Sequence, residues 1–295
     1  MSEEYDVIVI GGGPAGLTAA LYLGRARKSV LVLDRGNPRH AVSAGVHNFL
    51  TREGMAPAAL REEAWSQMGA YPSVQRRNTT VAKLDRLDDQ WLCETDDGGR
   101  VASGAVLLAT GVIDEHPNIA GFRERWGHSV HHCPFCHGWE ARDTALAVLV
   151  HGKAAGQYAR LIRNWTSDVV VLTNGEPIPA EARKQLADAE IAVHRSPVVA
   201  LEGPGQNLHR IVLEDGTKLE RDGLFWKPPQ KQVGLVEAIG APLDEHGYVE
   251  TDAFGKTSLP MLWAAGDLTS GYQQVVEAAA QGARAAVSII ASSLG

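Results

Sequence analysis

Tyr5-Asp6-Val7-Ile8-Val9-Ile10-Gly11-Gly12-Gly13-Pro14-Ala15-Gly16 is the stretch that decides the fold. Tyr5 to Ile10 is apolar and β-branched, as suits a strand buried on both faces, and the glycines follow without a gap. Leu17 to Arg27 then carries good helix formers at helical spacing, and Ser29 to Leu33 reads as a second strand. Together they make a βαβ unit, so the fold is α/β with parallel strands. Gly11 permits the tight turn, Gly13 lets the backbone approach a pyrophosphate, and Gly16 allows the helix to pack closely on the strand. The helix N-terminus adds unpaired N–H groups and the positive end of its dipole. Asp34 closes the second strand about 20 residues on, where a carboxylate accepts hydrogen bonds from a ribose. The spacing predicts a dinucleotide-binding unit.

A fainter copy of this pattern lies mid-chain. Ala145 to Val150 reads as a buried strand, His151-Gly152-Lys153-Ala154-Ala155-Gly156 as a turn entering a helix to about Asn164, and Asp168 to Leu172 as another strand. Aligned on the first turn, Val150 takes the first glycine position, only Gly152 remains of the first two, and Ala155 takes the third. The strand ends in Thr173-Asn174-Gly175, with neither a ribose carboxylate nor a basic pair for a 2′-phosphate. This second unit keeps the pattern of a dinucleotide fold with an impaired phosphate grip. Further strands are expected at Val106 to Ala109, ending in Thr110-Gly111, and at Pro260 to Ala265, followed by Gly266-Asp267 and a helix from about Gln273 to Ser292. Loops after strands are where an open α/β sheet holds its ligand.

At 295 residues, with 44% hydrophobic residues, the chain suits two folded domains. Its net charge of −7 and lack of a long Lys/Arg run disfavour nucleic acid and anionic membrane as partners. The N-terminal Ser2-Glu3-Glu4 leads straight into a strand, and no apolar stretch reaches the roughly 18 residues of a spanning helix, so a cytoplasmic location is expected. Three cysteines cannot make a disulfide scaffold. Cys93, within a strand-like Gln90 to Thr95, reads as a small core or edge residue.

The other two form Cys133-Pro134-Phe135-Cys136-His137, over a hundred residues beyond the glycine turn. In a reducing compartment a pair at this spacing is catalytic or metal-binding rather than structural. Pro134 is a favoured first helical residue, so a helix starting there would place its positive end on the Cys133 sulfur and favour the thiolate. His137, with an ordinary pKa near 6.5, is the expected general base. The haem-attachment reading of Cys-x-x-Cys-His requires export. A zinc reading of His131, His132, Cys133, Cys136 and His137 lacks a second ligand pair at a distance, so no metal is expected. His131 and His132 read as surface or substrate-mouth residues, and Trp139 as packing.

Taken in order, Gly11 to Gly16, Ala109-Thr110-Gly111, the Cys pair, and Gly266-Asp267 followed by Gln274 resemble the low-molecular-weight thioredoxin reductases over essentially the whole chain. The resemblance implies two Rossmann-like, three-layer domains, the second inserted into the first. Residues 1–116 plus 235–295 would form a discontinuous FAD-binding domain, and 117–234 would carry the Cys pair and a degenerate NAD(P)H-type site. It implies FAD bound by Gly11, Gly13, Gly16, Asp34, Thr110, Gly111, Asp267 and Gln274, a homodimer, Cys136 facing the isoalloxazine, and Cys133 exchanging with substrate. The Trp226-Lys227-Pro228-Pro229 segment looks like the hinge.

The chain departs from that pattern in four places. His137 stands where Asp is usual, the second glycine turn is eroded, Leu172-Thr173-Asn174-Gly175 replaces a basic segment, and Gln273 replaces an Arg. Cys-x-x-Cys-His-Gly with Trp139 and Glu140 looks more like the thioredoxin-reductase-like dithiol oxidases that form disulfides in metabolites such as gliotoxin and holomycin, using FAD and O₂. The expected activity is therefore oxidation of a dithiol, on a small molecule or a thioredoxin-like protein, through Cys133, Cys136 and His137. Two alternatives stand beside it: a disulfide reductase fed by NAD(P)H or another donor such as ferredoxin, and a flavin redox sensor without turnover.

Overall fold

A computed structural model describes residues 3–294; Met1, Ser2 and Gly295, and so the start of the Ser2-Glu3-Glu4 lead, lie outside the described residues. The chain forms two compact units. The first comprises residues 3–41, 49–113 and 230–294, the second residues 42–48 and 114–229.

In the first unit, strand Glu3–Ile10 lies in a seven-stranded sheet. It pairs in parallel with Val30–Leu33 on one side and Arg100–Leu108 on the other. Val74–Arg77 extends the sheet beyond Val30–Leu33, and Leu262–Ala264 runs parallel to the end of Arg100–Leu108. The first half of Arg100–Leu108 pairs antiparallel with Gln90–Thr95, which pairs with Val81–Leu87. Val7, Val9, Val30, Val32 and Leu107 enter one core, while Ile8, Ile10, Leu31, Leu33 and Leu108 enter a second on the opposite face. Covering both faces is why these strands read as unbroken apolar runs rather than alternating ones. The strand expected at Val106 to Ala109 is the second half of Arg100–Leu108.

Helix Pro14–Arg25 begins at the glycine turn and packs on the C-terminal helix Val275–Ser292. Small residues set their separation: a Cβ on Gly282 would lie 2.1 Å from the Ala15 carbonyl oxygen. Helix propensity alone predicts that Gly282→Ala gains up to about 1 kcal/mol. The overlap reverses the sign, so we expect a loss of roughly 1–3 kcal/mol, read as a lower Tm of the FAD-loaded protein. A Tm at or above the parent's would show that the helices part freely.

The second unit holds a five-stranded parallel sheet in the order Ala192–His194, Val169–Leu172, Leu146–Leu149, Gly223–Trp226, Val130–His131. Helices Ala154–Ile162 and Ala180–Asp188 cover one face through Ala155, Ala159, Ile162, Ala182 and Leu186. The other face packs on an antiparallel meander, Val198–Glu202, Arg210–Leu213 and Lys218–Glu220. Both units are thus Rossmann-like, and the second interrupts the first in sequence. Among the described residues no helix is long and apolar enough to cross a membrane.

Candidate active site

Every turn singled out in the first unit lies at one edge of its sheet, beyond the C-terminal ends of parallel strands. Gly11 follows Glu3–Ile10, Asp34 follows Val30–Leu33, Thr110 and Gly111 follow Arg100–Leu108, and Asp267 and Gln274 follow Leu262–Ala264. Gly11 adopts φ +110, and a Cβ there would meet the Ala109 carbonyl oxygen at 2.2 Å, so glycine is required on both grounds. At Gly16 a Cβ would lie 1.9 Å from the Gly11 oxygen, whereas at Gly13 nothing stands within 4 Å. Gly13 therefore presents open backbone beside a helix N-terminus that carries no side-chain cap. That combination fits the diphosphate of a dinucleotide.

Charge at this edge agrees. Arg61 is paired with Asp34 and also donates to the carbonyls of Gly12, at 3.2 Å, and Gly36, at 3.1 Å. Gly12, to which the sequence reading gave no role, is glycine because a Cβ would strike the Asp34 carboxylate. Burial first, then the positive fields of Arg61 and Arg39, lowers the pKa of His40 to about 4, and its Nε2 is buried without a partner. Arg39 Nη1 donates to Gln273 Oε1 at 2.9 Å and meets Asp267 at 3.3 Å. Gln273 and Asp267 thus share the guanidinium of Arg39, from the short 3₁₀ turn Arg39–Val42. Gln273 in turn donates to Gln230 at 2.8 Å, tying Gln230 to the loop that carries Asp267 and Gln274.

The Cys pair lies in the second unit. A single helical turn, Pro134–His137, begins immediately after Cys133, whose backbone is extended at the N-cap and whose carbonyl accepts from the N–H groups of Cys136 and His137. This is the geometry expected of Pro at the first helical position, although one turn supplies only a small dipole. Cys133 is 8% exposed and Cys136 is partly exposed. Cys93 is fully buried and burial pushes its thiol up to about 12, leaving it inert.

Around His137 the structure assembles groups that sequence spacing did not connect. Residues 42–48 belong to this unit and dock on the Cys-x-x-Cys turn. Asn48 Nδ2 donates to the Phe135 carbonyl at 2.6 Å, Ser43 Oγ lies 3.1 Å from His137 Nε2, and His47 stands edge-on to the His137 ring and 3.6 Å from Glu140. His131 is buried and stacks on His137 with ring centroids 4.3 Å apart, which corrects its reading as a surface residue. Tyr158, from helix Ala154–Ile162, donates to the His132 carbonyl at 3.0 Å. Its phenol is pushed up by burial and then by the neighbouring Cys133 and Cys136. Trp139, read as packing, is 65% exposed and packs against the Arg142 guanidinium, 4.1 Å over its ring. Burial, then repulsion from His47, lowers the His137 pKa to about 4 against a small opposing effect of the Cys133 carbonyl. The ring is neutral at pH 7, and a weaker base than the ordinary value near 6.5 implied.

The second glycine turn makes hydrogen bonds within the chain. Gly152 N–H donates to the Pro177 carbonyl at 3.2 Å, and the Gln185 side chain lies where a Cβ on Gly156 would project. Asn174, where a ribose or phosphate clamp would stand, accepts the Val198 N–H at 2.8 Å. The Gly152 amide and the Asn174 side chain are thus already engaged within the chain.

Comparison with known proteins agrees with both units. The model of the pyridine nucleotide-disulphide oxidoreductase family matches residues 5–282. Thioredoxin reductase sirT of Leptosphaeria maculans is 30% identical, over 99% of this chain and 95% of its own. The crystal structure of HlmI superposes with a TM-score of 0.93 at 34% identity, covering 100% of this chain and 94% of that one. An oxidoreductase from Agrobacterium tumefaciens superposes at 0.91, with 34% identity and 99% of each chain covered. With the glycine cradle in one unit and the Cys pair in the other, the chain belongs to the pyridine nucleotide-disulphide oxidoreductase family and is an FAD-dependent oxidoreductase of its thioredoxin-reductase-like branch.

Proposed function

We propose that the protein oxidises a dithiol to a disulfide with O₂ as the final acceptor, through Cys133, Cys136 and His137. The observation that carries this direction is the second glycine turn, whose Gly152 amide already donates to Pro177 and whose Asn174 side chain already accepts from the Val198 N–H. Electrons then enter from the thiol side. FAD would be held by Gly11, Gly13, Gly16, Asp34, Thr110, Gly111, Asp267 and Gln274, in a domain of residues 1–116 plus 235–295. Residues 117–234 would carry the dithiol chemistry, and a homodimer in the cytoplasm is the expected setting.

His137 takes the proton of one substrate thiol, and the thiolate attacks one sulfur of the Cys133–Cys136 disulfide. The S–S bond breaks, a substrate–enzyme disulfide forms, and the other cysteine leaves as thiolate and collects the proton from His137. The second substrate sulfur then displaces the enzyme, releasing substrate disulfide and leaving both cysteines reduced, with two electrons and two protons transferred. Because its ring is uncharged at pH 7, His137 is always ready to accept. The imidazolium it forms is stabilised only while a thiolate lies beside it, so the proton is handed back as the exchange completes. FAD, when bound, would supply the two-electron acceptor for the reduced Cys133 and Cys136 and the route from them to O₂, with H₂O₂ as the co-product. Phe135 and Trp139, 57% and 65% exposed beside the pair, provide apolar contact for either a small molecule or a thioredoxin-like protein.

The name thioredoxin reductase borne by sirT favours the reductase direction. One experiment decides. Mixed anaerobically with a dithiol, the yellow protein should bleach, whereas NADPH or NADH should leave the flavin band unchanged over the same time. Rapid bleaching by either nucleotide would overturn the oxidase reading.

A further inference from the structure

We propose that Ser43 sets the tautomer of His137, leaving Nδ1 as the nitrogen that receives the thiol proton. This rests on the proton-transfer role of His137 given above. The Ser43 hydroxyl has one hydrogen and two close partners, the Gly45 carbonyl at 2.8 Å and His137 Nε2 at 3.1 Å. A carbonyl only accepts. If the hydroxyl hydrogen pointed at Nε2, two oxygens would face each other at 2.8 Å with lone pairs opposed. The hydrogen therefore goes to Gly45, Ser43 Oγ is left as an acceptor, and Nε2 carries the ring proton. A neutral imidazole has a single N–H, so Nδ1 is bare.

The surroundings of Nδ1 agree with that assignment. It is buried with no hydrogen-bond partner among the described residues. The Cys133 carbonyl raises the ring's proton affinity, so the imidazolium formed during exchange has a carbonyl among its stabilising groups. The remaining groups facing the ring are imidazoles, His131 stacked on it and His47 edge-on, with Glu140 beyond His47. Burial and then the His47 imidazole oppose a resting positive charge on His137. Ser43 is thus a positioning residue, acting through a ring whose orientation the 42–48 segment holds.

The test reads the tautomer directly. Long-range ¹H–¹⁵N correlation on the FAD-loaded protein labelled in histidine, with His137 assigned by its absence in His137→Ala, should show Nε2 protonated and Nδ1 unprotonated at neutral pH. A ring protonated at Nδ1 would overturn the proposal. Ser43→Ala should mix the tautomers and slow anaerobic flavin reduction by a dithiol about 5- to 10-fold, the size of one hydrogen bond to a neutral ring. Ser43→Thr, which keeps the hydroxyl, should restore both spectrum and rate. A Ser43→Ala protein with the parent's tautomer and rate would also overturn it. His137→Ala separates the two claims: a slow variant beside an Nδ1-protonated parent defeats only the role of Ser43, whereas a variant as fast as the parent defeats the base itself.

Discussion

Replacing either Cys133 or Cys136 by Ser is expected to remove dithiol oxidation to background, a loss of at least about 10³-fold, while FAD remains bound and the fold intact. A serine hydroxyl neither forms a disulfide nor ionises at neutral pH, so no pair remains to exchange with substrate. The fold should tolerate the change. Cys133 occupies the N-cap of the turn Pro134–His137, where Ser is among the preferred residues. Cys136 is partly exposed on that same turn, and its removal leaves no core void. The same variants decide which sulfur meets substrate. If Cys133 is the exchanging sulfur, Cys136→Ser should accumulate a covalent adduct with a dithiol substrate or thiol probe, seen as added mass lost on reduction. Accumulation on Cys133→Ser instead would assign substrate to the more exposed Cys136. Full activity in either variant would refute a dithiol mechanism altogether.

What the sequence carried, it carried through local pattern. Val7, Val9, Ile8 and Ile10 report a strand covered on both faces because each alternate residue meets a different core. Gly11 and Gly16 report a turn whose backbone atoms nearly touch, a constraint that only a missing Cβ satisfies. Cys93 reads as core from its place in an alternating strand, and it is fully buried. The groups around His137 had no such signal. Ser43, His47 and Asn48 lie some ninety residues upstream in a segment without periodicity, and only tertiary folding brings them to the Cys-x-x-Cys turn. His131 misleads because hydropathy places a histidine outside. Its burial follows from the two-residue strand Val130–His131 pairing with Gly223–Trp226, and from a ring stacked against it. Trp139 packs outside the core, since it lies just past a one-turn helix and Arg142 covers its face. Arg39 reaches Gln273 from 234 residues away, a contact that a linear motif has no means of recording.

His137→Ala should keep FAD bound yet slow dithiol-driven flavin reduction by about 10²-fold or more, the usual contribution of a general base. Burial and then the field of His47 leave the ring uncharged across the neutral range, with a pKa of about 4. The sign of the pH dependence follows. A base works in its deprotonated form, so His137 limits the rate only as the pH falls toward about 4 and its ring begins to protonate before substrate arrives. The acid limb of the parent's rate should therefore lie well below the ordinary histidine value, and His137→Ala should lack it. In that variant the rate should instead climb with pH, since substrate must ionise unaided, and the two profiles should converge as the pH approaches the substrate thiol's own pKa, near about 8.5. Stopped-flow anaerobic reduction over the pH series reads all of this in the flavin band. Added imidazole should restore part of the loss, because the cavity left by the side chain lies between Ser43 and His131. A variant whose rate equals the parent's at neutral pH would assign His137 to holding the 42–48 segment on the Cys-x-x-Cys turn, and would place proton transfer elsewhere.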